Sequence, residues 1–196
     1  MFCGCSSLKE VTIPPSVPSI EEYSLCGCQS LRLLEIPSSV TFIGECALKG
    51  CSLLTHLILP SSVKKIEHNA FCNCTSLKSV KLSSSLVSID ESAFEKCESL
   101  EQITIPSSVE VIGENAFRRC ESLIKVTFEI PSSVTSLVKY AFCECYSLPQ
   151  ITIPSSVSLI KGSAFYSCSS LTNATISKGT KLEKDAFPSV TKVIKV

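Results

Sequence analysis

The 196-residue sequence has no tryptophan, one methionine and two histidines, His56 and His68. That leaves little for imidazole acid–base chemistry or histidine metal ligation. There is no Gly-rich phosphate loop, and the many serines recur at fixed turn positions. No nucleophile, base and orienting group stand out together, so neither an enzyme nor a cofactor is expected. Net charge is absent too: 18 basic residues balance 18 acidic ones, and no basic stripe appears. Nucleic acid is therefore disfavoured as a partner. No apolar run approaches the roughly 18 residues that a membrane span needs. Met1-Phe2-Cys3-Gly4-Cys5 lacks the basic start and apolar stretch of a signal peptide. No composition break or linker divides the chain, which reads as one domain, 1–196.

What the sequence does have is repetition. Pro-Ser-Ser-Val stands at Pro37–Val40, Pro60–Val63, Pro106–Val109, Pro131–Val134 and Pro154–Val157. The Ile or Leu ahead of it, or of a degenerate copy, falls at 13, 36, 59, 82, 105, 130, 153 and 176, a step of 23 with one step of 25. A fixed period of this size marks a solenoid. Aligning the copies gives apolar columns. One holds Val40, Val63, Leu86, Val109 and Val134, and the next Ile43, Ile66, Ile89, Ile112 and Leu137. An Ala-Phe plug follows at Ala70-Phe71, Ala93-Phe94, Ala116-Phe117, Ala141-Phe142 and Ala164-Phe165. Then come the cysteines at 5, 28, 51, 74, 97, 120, 145 and 168, and a leucine three residues after each.

Within a unit, Leu100-Glu101-Gln102-Ile103-Thr104-Ile105 alternates apolar and polar at its end, which predicts a short strand with one face buried. Pro106 removes a donor and ends it, and Ser107-Ser108 suit a turn. Val109–Ile112 reads as a second extended piece or a loose turn, and nothing runs helical for ten residues. Too little apolar surface is available within one unit to offset the entropy of ordering it, so neighbours must stack.

Cys-x-Ser-Leu-x-x-Val-x-Ile-Pro-Ser-Ser-Val-x-x-Ile-x-x-x-Ala-Phe closely resembles the BspA-type leucine-rich repeat of bacterial and protist surface proteins, over about eight units. The first unit is incomplete and the last degenerate. The resemblance implies an α/β fold class: a right-handed solenoid with one parallel sheet on its concave face and a mostly irregular convex side. It also implies an adhesin-like role at the cell surface or in a secreted protein, binding host matrix or other cells. An intracellular leucine-rich-repeat scaffold in the cytoplasm stays open as the alternative.

Thirteen cysteines suggest disulfides at first sight. However, parallel rungs lie about 4.8 Å apart, wider than the roughly 3.8 Å that disulfide Cβ atoms prefer. Mostly reduced thiols are expected, packed as small apolar groups. The Cys-x-Cys pairs do not read as zinc sites, because one cysteine of each lies in the core column and neither histidine sits at ligand spacing. Phe2 falls in the Phe column, so the chain begins partway through a repeat without a polar cap. Two readings follow: a fragment of a longer protein, or a chain whose ends are covered by self-association.

The outward strand positions form two rows. One reads Thr12, Glu35, Ile58, Lys81, Thr104, Thr127, Thr152, Thr175; the other begins Glu10, Leu33, His56, Ser79. Leu33, Glu35, His56, Ile58 and Lys81 make a mixed apolar and charged patch, the candidate surface for a protein or matrix ligand. The threonine row needs only strand propensity to explain it. The extra Glu129-Ile130 predicts a bulge that breaks the ladder on one edge, with Phe128 taking the Ile column. Asn73-Cys74-Thr75 and Asn173-Ala174-Thr175 match the glycosylation acceptor, which matters only on a secretory route.

Overall fold

A computed structural model describes residues 2–196. The repeat is a coil with two strands. The longer strand recurs at Glu10–Thr12, Leu33–Glu35, His56–Ile58, Ser79–Lys81, Gln102–Ile105, Lys125–Phe128, Gln150–Thr152, Asn173–Ile176 and Lys192–Lys195. A two-residue strand follows each of the first eight, from Ser19–Ile20 through Val111–Ile112 to Lys181–Leu182. All pairings are parallel, between equivalent positions of successive coils. Phe128 pairs with Ile105, so it does take the Ile column.

Two expectations need correction. No helix forms among the described residues, so the α/β label gives way to an all-β coil. The physical reason is that seven coils carry two residues at positive φ between the short strand and the next cysteine, such as Ser92 and Lys96, or Asn115 and Arg119. A left-handed residue interrupts any right-handed helix. The second of these positions is Gly27 or Gly50 in the first two such coils, and Gly4 is its equivalent in the incomplete first unit; glycine adopts that conformation without Cβ strain. The second correction concerns the sheet. The short strands pair into a ladder of their own, so the coil has two sheet faces.

The Pro-Ser-Ser-Val corner is a turn closed by the valine N–H donating to the proline carbonyl, as in Val109 to Pro106 at 3.1 Å. Its second serine has a further task. Ser39, Ser62 and Ser108 Oγ donate to the carbonyls of Val17, Val40 and Leu86 one coil earlier, at 2.6, 2.6 and 2.7 Å. A small hydroxyl at this corner therefore ties coil to coil.

The core is a set of columns. Phe71, Phe94, Phe117, Phe142, Phe165 and Phe187 stack as near-parallel rings, with centroids 4.9–5.5 Å apart. Each ladder cysteine from Cys28 to Cys168 donates its thiol to the carbonyl of the plug residue one coil earlier, at 3.0–3.4 Å. Cysteine thus fills the column as a small apolar group and also supplies a weak donor, which alanine would not.

At the 25-residue step both ladders are interrupted, not one edge alone: Val111–Ile112 does not pair with Ser136–Leu137, nor Lys125–Phe128 with Gln150–Thr152. Ile130 is exposed there, and the Ile130–Pro131 peptide is cis. The core runs through regardless. Phe117 and Phe142 stack at 5.2 Å, and Cys145 Sγ reaches the Phe117 carbonyl at 3.3 Å. On the turn side, Arg118 bridges Glu95 at 3.6 Å and Glu144 at 3.0 Å, and Arg119 approaches Glu144 at 3.5 Å. These ion pairs join coils on either side of the interruption.

Candidate functional site

The long strands alternate faces, and their first and third residues point outward. Leu33, Glu35, His56, Ile58 and Lys81 are all exposed, Leu33 by 58% and Ile58 by 67%. The register places Ile58 beside Lys81 and His56 beside Ser79. Thr55 Oγ1 lies 2.9 Å from His56 Nδ1 and orients the ring.

The five residues lie on three successive coils, and the Leu33–Glu35 strand neighbours His56–Ile58. No strand pairing joins Leu33–Glu35 to His56–Ile58 among the described residues. Leu33 and Glu35 line a small cavity of about 280 Å³ near the N-terminal strand, walled by Glu10, Thr12 and Pro37. His56, Ile58 and Lys81 line a larger groove of about 910 Å³ that continues over Gln102 and Thr104. Its other wall is built by the turn corners, with Pro60, Ser84 and Pro106, and it reaches Glu129.

Glu129, Pro106 and Ser84 were not among the sequence-derived candidates. Glu129 carried a signal, since it belongs to the two-residue insertion. The corner residues carried none, because they look like every other turn. Glu129 Oε2 accepts the Ser107 backbone N–H at 3.2 Å, which holds the inserted carboxylate at the end of the groove.

Several of the core thiols are held in the unreactive form. Burial pushes Cys51 up to about 12, and raises Cys74, Cys97 and Cys145 well above the ordinary thiol range. Burial and the neighbouring Glu144 carboxylate push Cys143 up to about 12 as well. Such groups stay protonated at neutral pH, and the thiolate is the reactive form. No group of three or more His, Cys, Asp or Glu residues converges as metal ligands among the described residues. Nor is any helix there long and apolar enough to cross a membrane.

Comparison with known proteins agrees with the coil geometry. The family model for a BspA type leucine-rich repeat region matches in six copies over residues 1–124 and 124–196. No curated protein matches at a significant level. Among solved structures, a leucine-rich repeat protein from Bacteroides ovatus is similar, with a TM-score of 0.74 and 25% identity over 99% of this chain. The chain spans 58% of that protein's length. The leucine-rich repeat protein of T. pallidum is similar over 89% of this chain and 80% of its own, with 28% identity and a TM-score of 0.66. One from Eubacterium ventriosum shares the fold at 20% identity, over 82% of this chain and 43% of its own, with a TM-score of 0.56.

Proposed function

The chain belongs to the BspA-type leucine-rich repeat family, and from that premise we propose that it is a non-catalytic protein-interaction module acting at the cell surface. In this reading it holds host matrix or a neighbouring cell by the outward face of its long strands, as part of a longer protein. The observation that carries the reading is the groove of about 910 Å³ across that face, with exposed Ile58 beside Lys81. A solenoid face can be decorated without disturbing the core, because outward residues contribute little to stacking. An exposed isoleucine flanked by polar groups in a concave site is the kind of anchor that partner binding uses.

The test is adhesion of labelled protein to immobilised matrix proteins and to whole cells. Ile58→Asp is expected to abolish capture, and Leu33→Asp to weaken it less, since Leu33 lines the separate cavity. Both sites point outward, so the melting temperature should stay within about 2 °C of wild type. Adhesion that survives Ile58→Asp would remove the groove as the site.

A second reading, an intracellular scaffold, is favoured by the thirteen free cysteines. A thiol count in denaturant, on protein purified from its natural source without reductant, separates the two. Thirteen reactive thiols support the interior. Bridged thiols, or a glycan at Asn173, support the surface.

A further inference from the structure

The groove has a polarity, and this inference rests on the groove being the binding surface. Its apolar end is Ile58. One rung on stands Lys81, exposed and without an ion pair among the described residues. At the far end stands Glu129, also exposed and also without an ion pair, positioned by the Ser107 N–H. Two unpaired charges of opposite sign thus face one cleft, in a chain whose net charge is zero.

We infer that the groove takes an extended peptide segment lying across the rungs, with an apolar residue on Ile58, a carboxylate on Lys81 and a cation on Glu129. Spacing follows from strand geometry. Adjacent rungs lie about 4.8 Å apart, so an extended chain at about 3.3 Å per residue advances one to two residues per rung. Side chains that share a face recur every second residue. The acid therefore stands two residues after the apolar anchor. Lys81 and Glu129 are two rungs apart along the stack, with Glu129 two residues further along the chain than Thr127, just past the strand end. Together these make about 12 Å between backbones, which places the base four residues after the acid. Between the charges, Gln102 and Thr104 offer donors and acceptors to a peptide backbone.

Other polymers fit less well. No phenylalanine or tyrosine lines the groove and the chain has no tryptophan, so His56 is its single ring, where a nucleic acid or glycan would need a series of stacking platforms. A single lysine cannot follow a phosphate backbone. Opposed charges at fixed spacing match a peptide of mixed charge.

The test uses two fluorescent nine-residue peptides with the whole chain at low salt. One carries leucine, glutamate two residues on and lysine four residues after that, in a Ser/Gly background. The other exchanges the two charged residues. Anisotropy should show the first binding about tenfold more tightly, and the difference should shrink in high salt. The double variant Lys81→Glu with Glu129→Lys should invert the preference at an unchanged melting temperature. Equal binding of both peptides, binding of neither, no inversion, or displacement by a neutral hexasaccharide would each overturn the inference. If the peptides fail while Ile58→Asp abolishes adhesion, the groove stands and only its occupant is wrong. If Ile58→Asp leaves adhesion intact, the groove itself falls.

Discussion

Truncating one ring in the phenylalanine stack tests whether stability is carried from coil to coil. Phe117 is completely buried and stacks on Phe94 at 5.4 Å and on Phe142 at 5.2 Å. Phe117→Ala removes the ring, leaves a cavity that stacked backbones cannot close, and breaks two ring pairs. A fully buried Phe→Ala change costs about 3–5 kcal/mol, and two lost ring contacts place this one in the upper half of that range. Phe187 is only half-buried and stacks on one ring, Phe165, at 4.9 Å. Phe187→Ala should therefore cost about 1–2 kcal/mol, as one ring contact and partial burial allow. Without tryptophan, far-UV circular dichroism is the signal to follow through a urea titration. Neighbour-only coupling also predicts that Phe117→Ala lowers cooperativity, by letting the two halves of the stack unfold separately. Equal losses at 117 and 187, or a loss below about 1 kcal/mol at 117, would refute the reasoning.

The corner serines give a paired comparison. Ser108→Ala removes the hydroxyl that reaches the Leu86 carbonyl at 2.7 Å and should cost about 1 kcal/mol by urea denaturation. Ser156, the same corner position just past the interruption, has a buried Oγ with no partner, so Ser156→Ala should be neutral or stabilising. A pH effect is expected at the Arg118–Glu144 contact. Burial pushes the Glu144 carboxyl up, but hydrogen bonds from Arg118 and Tyr146 outweigh it and hold the carboxyl below its ordinary value. A depressed folded value contributes stability above the ordinary carboxylate range, and that contribution fades as pH falls through the folded value. Melting temperatures of wild type should therefore drop more steeply below about pH 4.5 than those of Glu144→Gln, and parallel profiles would dismiss the contact.

Much of the coil could be read from the residues, because every core position recurs. The Phe, Cys and Leu columns, the outward rows and the place of Phe128 all follow from a 23-residue step and strand alternation. The second ladder was harder to see. Val111–Ile112 is two residues long, too short for an alternation to be counted. The left-handed positions were hidden for a different reason: Asn73, Lys96, Arg119, Glu144 and Ser167 share one backbone conformation with no common side chain. These positions exclude the helix that the family resemblance suggested. The candidate patch was half legible. Exposure of Leu33 and Ile58 follows from alternation, but the lack of a strand pairing between their coils is announced by no residue type. Likewise the groove wall comes from corners 23 or more residues apart, which meet only when the coils stack.

The central claim is that one coil is repeated by translation and that both ladders, but not the core, break together at the 25-residue step. Residue-resolved hydrogen exchange tests it most directly. Protection should rise and fall with the 23-residue period, strongest in the long strands from His56 to Phe128 and weakest over 129–136, with both flanks opening at the same global free energy. Protection that is aperiodic, or that runs unbroken through 129–136, would contradict the account.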